Sequence, residues 1–381
     1  MPAGQDARPL NPENAMTLSR RQALKLAGSA ALAAALAGPA FGKGRGKKVL
    51  ILGGTGFIGP HFVRALMDGG HAVTLFNRGK RDPEAHAGVE QLLGDRDGQL
   101  DALKGRSWDA VIDNSGYFPR TVRLSAELLK PRVKQYIFIS SIAAYADFAT
   151  PGIDENYRLA KLEGPVVEEI TGKTYGPLKV LCEEVVNEVY GKHATIIRPT
   201  YIAGPGDYTD RFTYWPFRVA QGGEMLAPGT PDSLIAYIDV RDLADFIRTC
   251  TEKQVAGTYN IVNKPGASTI GGLIDASKRV TGGNPTVTWA PVEFLRAQGL
   301  IATELARSPQ LPLWDPPTGA MMGIGLLRCD RAIGKGLKFR SMEQTIRDTM
   351  EWQKSRPPEA QVMKAGIKPE REAELLKLLK S

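Results

Sequence analysis

Val49-Leu50-Ile51-Leu52 runs without a break into Gly53-Gly54-Thr55-Gly56-Phe57-Ile58-Gly59. An aliphatic run with no polar alternation, entered through Lys47 and Lys48, reads as a strand buried on both faces of a parallel sheet. Phe62, Val63, Ala65 and Leu66 then repeat at helical spacing until Gly69-Gly70 closes the element. Between strand and helix the glycines meet three needs: a tight turn, close approach of backbone N–H groups to a pyrophosphate, and close helix–sheet packing. Gly53, Gly56 and Gly59, with Phe57 and Ile58 between them, are therefore candidate cofactor contacts.

The same alternation continues outward. Ala72 to Asn77 reads as the next strand, and Val89 to Leu93, Ala110 to Asp113, Gln135 to Ser140 and Ala194 to Arg198 as further ones, with a helical pattern over Val122 to Leu129. Strands alternating with helices imply an α/β fold with a doubly wound, Rossmann-like parallel sheet, its ligands at the carboxyl ends of the strands. The second strand ends in Asn77-Arg78-Gly79-Lys80-Arg81, with no acid before Asp82. A carboxylate there would hold a ribose 2′-hydroxyl, whereas an Asn beside a guanidinium accepts a 2′-phosphate. The expected cofactor is therefore NADP, with NAD as the alternative. By position alone, Asp95 faces the adenine and Asn114 to Gly116, Ser115 among them, the middle of the cofactor, and Arg96 and Pro199 are further candidate cofactor contacts. Asp95 has an equally simple role as a helix cap.

The reactive groups come from two later segments. Tyr175 and Lys179, four apart, share one helix face, and an ammonium near a phenol favours the phenolate. Pro177 is tolerated only near a helix start, so Tyr175 should stand at the mouth of its helix. Ile139-Ser140-Ser141 ends a strand with two hydroxyls that can meet the reacting oxygen of a substrate.

The glycine turn, the strand-end serine and the Tyr-x-x-x-Lys, in that order, resemble the short-chain dehydrogenase/reductase superfamily. The Gly53-x-x-Gly56-x-x-Gly59 spacing resembles its extended epimerase/dehydratase branch, as do Ile197-Arg198-Pro199, Gly204-Pro205-Gly206 and Tyr237 to Ala244. The resemblance covers residues 47–355. It implies catalysis by Ser141, Tyr175 and Lys179, with Lys179 also reaching the cofactor, and it favours Ser141 over Ser140 through the Ser-x-x-x-Tyr pattern ending at Tyr145. Two features depart from that branch. The Ser141-to-Tyr175 interval is long, which implies an inserted loop around residues 151–172. The Asn77-Arg78-Gly79 and Gly94-Asp95-Arg96 segments resemble an atypical subgroup that includes chloroplast stem-loop RNA-binding relatives.

Residues 200–232 and 263–355 are expected to form a smaller α+β substrate domain, with 47–199 and the returning segment 233–262 forming the cofactor domain and 356–381 a helical tail. Asp210 to Pro216 is the most aromatic segment of the chain. Arg211, Tyr214 and Trp215 are candidate substrate contacts, aromatic faces suiting sugar rings and a guanidinium suiting an anionic group. Packing of Phe212 and Trp215 in a core is the competing reading.

Ahead of all this, Arg20-Arg21 precedes an apolar Ala/Leu stretch from Leu26 to Leu36 and small residues to Ala40. Residues 1–40 resemble a twin-arginine export signal, followed by a basic linker over 41–46, which implies a periplasmic protein with no membrane span once the signal is removed. The 381-residue chain carries 49 Lys and Arg against 41 Asp and Glu, a net charge of +8, which favours anionic ligands without choosing among them. Three cysteines and four scattered histidines give neither a disulfide framework nor a metal-site spacing, and no metal is expected.

Together these readings give an exported NAD(P)-dependent epimerase, dehydratase or reductase acting on a sugar-like or otherwise hydroxylated small molecule, without nucleic acid. A simple NADPH-dependent carbonyl reductase and a non-catalytic relative of the RNA-binding members are the alternatives. The oligomeric state stays open, a homodimer being compatible.

Overall fold

The structure, a computed structural model, describes residues 46–80, 86, 88–301 and 310–381. The twin-arginine segment and most of the basic linker lie outside these residues. Among the described residues the strands are β1 (Lys48–Leu52), β2 (Ala72–Asn77), β3 (Glu90–Leu93), β4 (Trp108–Asp113), β5 (Val133–Ile139), β6 (Ala194–Pro199), β7 (Tyr201–Ala203), β8 (Glu224–Pro228), β9 (Tyr237–Asp239), β10 (Gly257–Ile261) and β11 (Thr286–Ala290). The α-helices are α1 (Gly59–Asp68), α2 (Pro119–Leu129), α3 (Tyr175–Tyr190), α4 (Tyr214–Ala220), α5 (Val240–Lys253), α6 (Ile270–Thr281), α7 (Val292–Ala297), α8 (Asp330–Gly334), α9 (Met342–Ser355) and α10 (Pro369–Lys380).

A seven-stranded sheet in the order β10-β6-β5-β4-β1-β2-β3 is parallel at every pairing. Chain order reverses between β1 and β4, so the glycine turn that follows β1 lies at the switch point of a doubly wound fold. Val49 to Leu52 are wholly buried, as the aliphatic run requires. On one face of the sheet Phe62, Val63 and Leu66 of α1 pack with Leu243, Phe246 and Ile247 of α5. On the other, Val122, Ala126 and Leu129 of α2 pack with Cys182, Val185 and Val186 of α3. Helix α5 is capped at its N-terminus by Asp239, whose carboxylate accepts from the Arg241 N–H at 2.8 Å.

A second core lies beyond β6. It is built from β7, α4, β8, α6 and β11 around Trp215, Leu226, Ile274 and Trp314, and it takes in Ile346 of α9 and Leu375 and Leu376 of α10. The charged tail helix therefore docks on this lobe, where Glu372 pairs with Arg218 at 2.7 Å and accepts from the Leu226 N–H at 3.1 Å. Among the described residues no helix is long and apolar enough to cross a membrane, and no group of three or more His, Cys, Asp or Glu could hold a metal ion. Cys182, Cys250 and Cys329 are buried free thiols.

Candidate functional site

A cavity of about 1040 Å³ opens at the carboxyl ends of β4, β5 and β6. Ile58, Asn114 and Tyr117 line it from the glycine-turn side, Ser140 to Ala143 from the end of β5, Tyr175 and Lys179 from α3, and Pro199, Tyr201 and Arg211 from the start of the second lobe. The sequence thus brings residues scattered over 150 positions and more to one place because parallel strands all deliver their following loops to the same sheet edge.

Two of the turn's glycines are required by the close approach of the protein's own atoms. Gly53 has φ +100°, and a Cβ there would stand 2.4 Å from the Asn114 Oδ1. A Cβ on Gly59 would stand 2.1 Å from the Gly54 carbonyl oxygen, so the first turn of α1 can close on β1 with nothing larger. The N-terminus of α1, whose first N–H groups have no partner within the helix, thereby sits against the glycine backbone of the turn, and those N–H groups are the donors a pyrophosphate needs. The residues present fit the group.

Tyr175 is the first residue of α3, and Pro177 sits in that first turn. Lys179 is buried, and its Nζ donates to the carbonyl oxygens of Gly116 at 2.8 Å and Ile139 at 2.9 Å. The rings of Tyr117 and Phe138 flank the same ammonium, at 4.8 and 4.9 Å from Nζ to centroid. Burial draws the Lys179 pKa below its ordinary value, opposed by the nearby Tyr117, Cys182 and Asp113. Burial likewise raises that of Tyr117. The two serines divide their work. Ser140 is buried and donates to Glu183, whereas half-buried Ser141 accepts from the Ala143 N–H at 3.1 Å and keeps its own proton to donate.

The end of β2 is arranged for a different task. Asn77 donates to Gln91 Oε1 at 3.1 Å and accepts from the Gly79 N–H at 2.8 Å, so its side chain shapes the turn. Arg78 beside it is exposed and has no hydrogen bond or ion pair among the described residues. The expectation that Arg96 faces the cofactor needs correction. Its guanidinium is turned inward, bidentate on the wholly buried Asp113 at 2.5 and 2.8 Å and donating to Ser125 at 2.9 Å, because an ionised Asp113 needs a partner at that depth. Asp95 accepts from the Asp97 N–H at 3.0 Å within a turn, so it shapes that turn and caps no helix. Ser115 donates to the Leu52 carbonyl at 3.0 Å and ties the β4 loop to the end of β1.

On the substrate side, Arg211 is in the cavity wall, its guanidinium stacked 4.9 Å from the Tyr201 ring centre and held by Thr209 at 2.9 Å. Tyr214 and Trp215 are not in the wall. Both are buried in the core of the second lobe, where Trp215 donates to the Pro312 carbonyl at 2.8 Å, so they pack rather than bind. Aromatic density alone could not separate these roles. Two participants went unnoticed in the sequence: Tyr117, three residues after Asn114, and Glu183, four residues after Lys179. The second carried a readable signal, since Tyr175, Lys179 and Glu183 repeat every four residues on one helix face.

The chain matches the model of the NAD dependent epimerase/dehydratase family over residues 49–263, more than half its length. It is 30% identical over 269 residues to the chloroplast stem-loop binding protein of 41 kDa b of Arabidopsis thaliana, covering 65% of this chain and 67% of that one. It is 25% identical over 280 residues to sterol demethylase protein B of Methylococcus capsulatus, covering 68% of this chain and 82% of that one. Among solved structures, a UDP-glucose 4-epimerase superposes with a TM-score of 0.59 at 20% identity, over 82% of this chain and 98% of that one.

Proposed function

The chain belongs to the NAD dependent epimerase/dehydratase family, and on that premise we propose that it transfers hydride between NADP and a secondary alcohol or ketone, in the epimerase or reductase manner, using Tyr175, Lys179 and Ser141. The observation that carries the reading is the meeting of these three side chains in one cavity beside the glycine turn. The nicotinamide ring, when bound, supplies the site that accepts or returns the hydride. The chain's own residues manage the proton and the oxygen. Ser141 donates to the substrate oxygen and orients it. Tyr175 takes the hydroxyl proton as the carbinol carbon loses its hydride, leaving a ketone, and gives the proton back when the hydride returns. The buried Lys179 ammonium favours the Tyr175 phenolate by charge.

NADP is preferred over NAD in this reading because the exposed Arg78 guanidinium and the absence of an acid at the end of β2 suit a 2′-phosphate. Arg211, fixed on Tyr201, is the group to hold an anionic substituent of the substrate. A sugar-like substrate draws its support from the UDP-glucose 4-epimerase likeness, since Tyr214 and Trp215, on which the sugar reading first leaned, are in the core. Export to the periplasm is proposed from Arg20-Arg21 and the apolar stretch after it. Changing both arginines to lysine should hold the protein in the cytoplasm, and unchanged periplasmic recovery would refute the leader. The stem-loop-binding relative favours a second reading, a binding protein that keeps the fold. Calorimetric titration with NADP⁺, followed by an assay of NADPH oxidation over a panel of ketones, separates the two, because a binding protein turns over none of them.

A further inference from the structure

We infer that Arg356, in the C-terminal tail, is a positioning residue for Arg211: acting through Asp210, it aims the Arg211 guanidinium into the cavity and so sets the preference of the site for an anionic ligand. The proposal rests on the reading of Arg211 as the holder of an anionic substituent and adds the element that makes it one.

Arg211 stands half-buried in the cavity wall. Its Nε donates to the Thr209 hydroxyl oxygen at 2.9 Å, and its guanidinium lies over the Tyr201 ring. The Thr209 oxygen is free to accept because its own proton goes to Asp207 Oδ1 at 2.5 Å, where the Thr209 N–H arrives as well at 3.0 Å. Among the described residues Arg211 forms no ion pair, and its two terminal nitrogens have no hydrogen bond. A guanidinium fixed at Nε and on one face keeps its outer edge of paired N–H groups, which a carboxylate or a phosphate takes bidentately.

What points this side chain is the residue before it. Asp210 has φ +59°, a left-handed conformation that a residue with a Cβ keeps only where its surroundings hold it there. It is wholly buried, and both carboxylate oxygens are tied to the tail. Oδ1 accepts from Arg356 at 2.6 Å and Oδ2 from the Lys364 N–H at 3.1 Å. Arg356 is itself fixed. Only 8% of its side chain is exposed, its guanidinium lies 4.8 Å from the Trp352 ring centre, and the nitrogen that meets Asp210 also donates to Gln353 Oε1 at 2.5 Å. Its carbonyl accepts from Gln361 Nε2 at 2.7 Å, and Gln353 donates to the Gln361 carbonyl at 3.0 Å, which closes the 356–361 turn. Without its guanidinium the buried Asp210 carboxylate would have to take up a proton or move towards water. The backbone turn that directs Arg211 would relax with it. The tail thus governs the substrate end of the cavity while none of its residues is in the wall.

The test is calorimetric titration of 4-oxocyclohexanecarboxylate and of its neutral methyl ester into the full chain saturated with NADP⁺. The two share a ring and a ketone and differ in charge. The wild-type chain should bind the carboxylate about tenfold more tightly or better, the difference that a charge-assisted pair gives. Arg356→Gln should bring the two affinities together while leaving those for the ester and for NADP⁺ unchanged, and Arg356→Lys should keep most of the preference. Should Arg356→Gln melt near the assay temperature, Asp210→Asn, which suits the same φ, takes its place with the same expectation. A preference that survives Arg356→Gln yet is lost in Arg211→Gln would overturn the proposal. So would an ester affinity that falls in step with that of the carboxylate, the mark of a merely structural role. No preference in the wild-type chain, absence of binding included, or one that Arg211→Gln leaves intact, would instead overturn the reading of Arg211 and the proposal with it.

Discussion

The Lys179 ammonium donates to the carbonyl oxygen of Ile139 at 2.9 Å, joining the first turns of α3 to the last residue of β5. Ser140 and Ser141 follow directly on Ile139, so one strand end presents the candidate hydroxyl and anchors the candidate cation. A second carbonyl, that of Gly116, holds the same Nζ from the end of β4. Two carbonyls and two aromatic faces keep a charge in a place where burial alone would discharge it.

Burial lowers the Lys179 pKa, so the ammonium loses its proton at a pH below the ordinary lysine value of 10.5. Charge support for the Tyr175 phenolate then falls away on the alkaline side, and activity should decline there. In Lys179→Met the rate-versus-pH profile should move to higher pH and kcat should drop by about 10²-fold or more. An unchanged profile would detach Lys179 from the chemistry.

Arg78 is exposed beside Asn77 at the end of β2. A charge-assisted bond to a 2′-phosphate contributes about 1.5–3 kcal/mol, so Arg78→Ala should weaken NADP binding by about 10- to 100-fold and leave NAD binding nearly unchanged. Equal losses for the two dinucleotides, measured by titration, would show that Arg78 does not read the phosphate.

Glu183 and Arg198 form an ion pair with both side chains 4% exposed, and Ser140 donates to the same carboxylate. Removing one partner leaves an uncompensated buried charge, and Glu183→Ala should lower unfolding stability in urea by about 3–5 kcal/mol. Arg123→Ala, which breaks exposed pairs with Glu127 and Glu188, should leave the urea midpoint nearly where it was. Similar losses for both would mean that depth is not what makes the Glu183 pair matter.

Asp242 is pushed up to about 6 by burial and by neighbouring Asp239, although Arg340 bonds it through both backbone and side chain and pulls the other way. The folded protein therefore binds this proton more tightly than the unfolded chain does. The penalty for ionising Asp242 grows as pH rises from about 4 to about 6, at no more than about 1.4 kcal/mol per pH unit, and is complete above that range. Urea unfolding across that window should show this slope in the wild-type chain and a smaller one in Asp242→Asn. An identical slope in both would refute the assignment.

The parallel sheet was legible because most of its strands are largely apolar runs stopped by glycine, asparagine, aspartate, serine or proline. Ala72–Asn77 carries the bounds that the sequence suggests, and within the tail expected over 356–381 the helix is Pro369–Lys380. The second lobe was hard to read for the opposite reason. Strand β7 has only three residues, and β8 runs from Glu224 to Pro228, a charge and a proline at the ends of a run too short to show a period. In the site, Tyr175 and Lys179 were readable from spacing within one helix. The pairing of Arg96 with Asp113 was not, because it joins the ends of two strands and nothing local marks it. Tyr214 and Trp215 illustrate a further limit: an aromatic cluster marks a large apolar surface without saying whether protein or ligand covers it.

The most direct test of the central claim follows deuterium. The full chain is incubated with NADPH deuterated at the transferring position and a set of ring ketones, and the products are analysed by mass spectrometry for wild type and for Tyr175→Phe. Deuterated alcohol should form with the wild-type chain and fall by about 10²-fold or more in Tyr175→Phe, while calorimetry shows NADP⁺ affinity retained. Deuterium transfer undiminished in Tyr175→Phe, or absent from the wild-type chain despite tight NADP⁺ binding, would contradict the account.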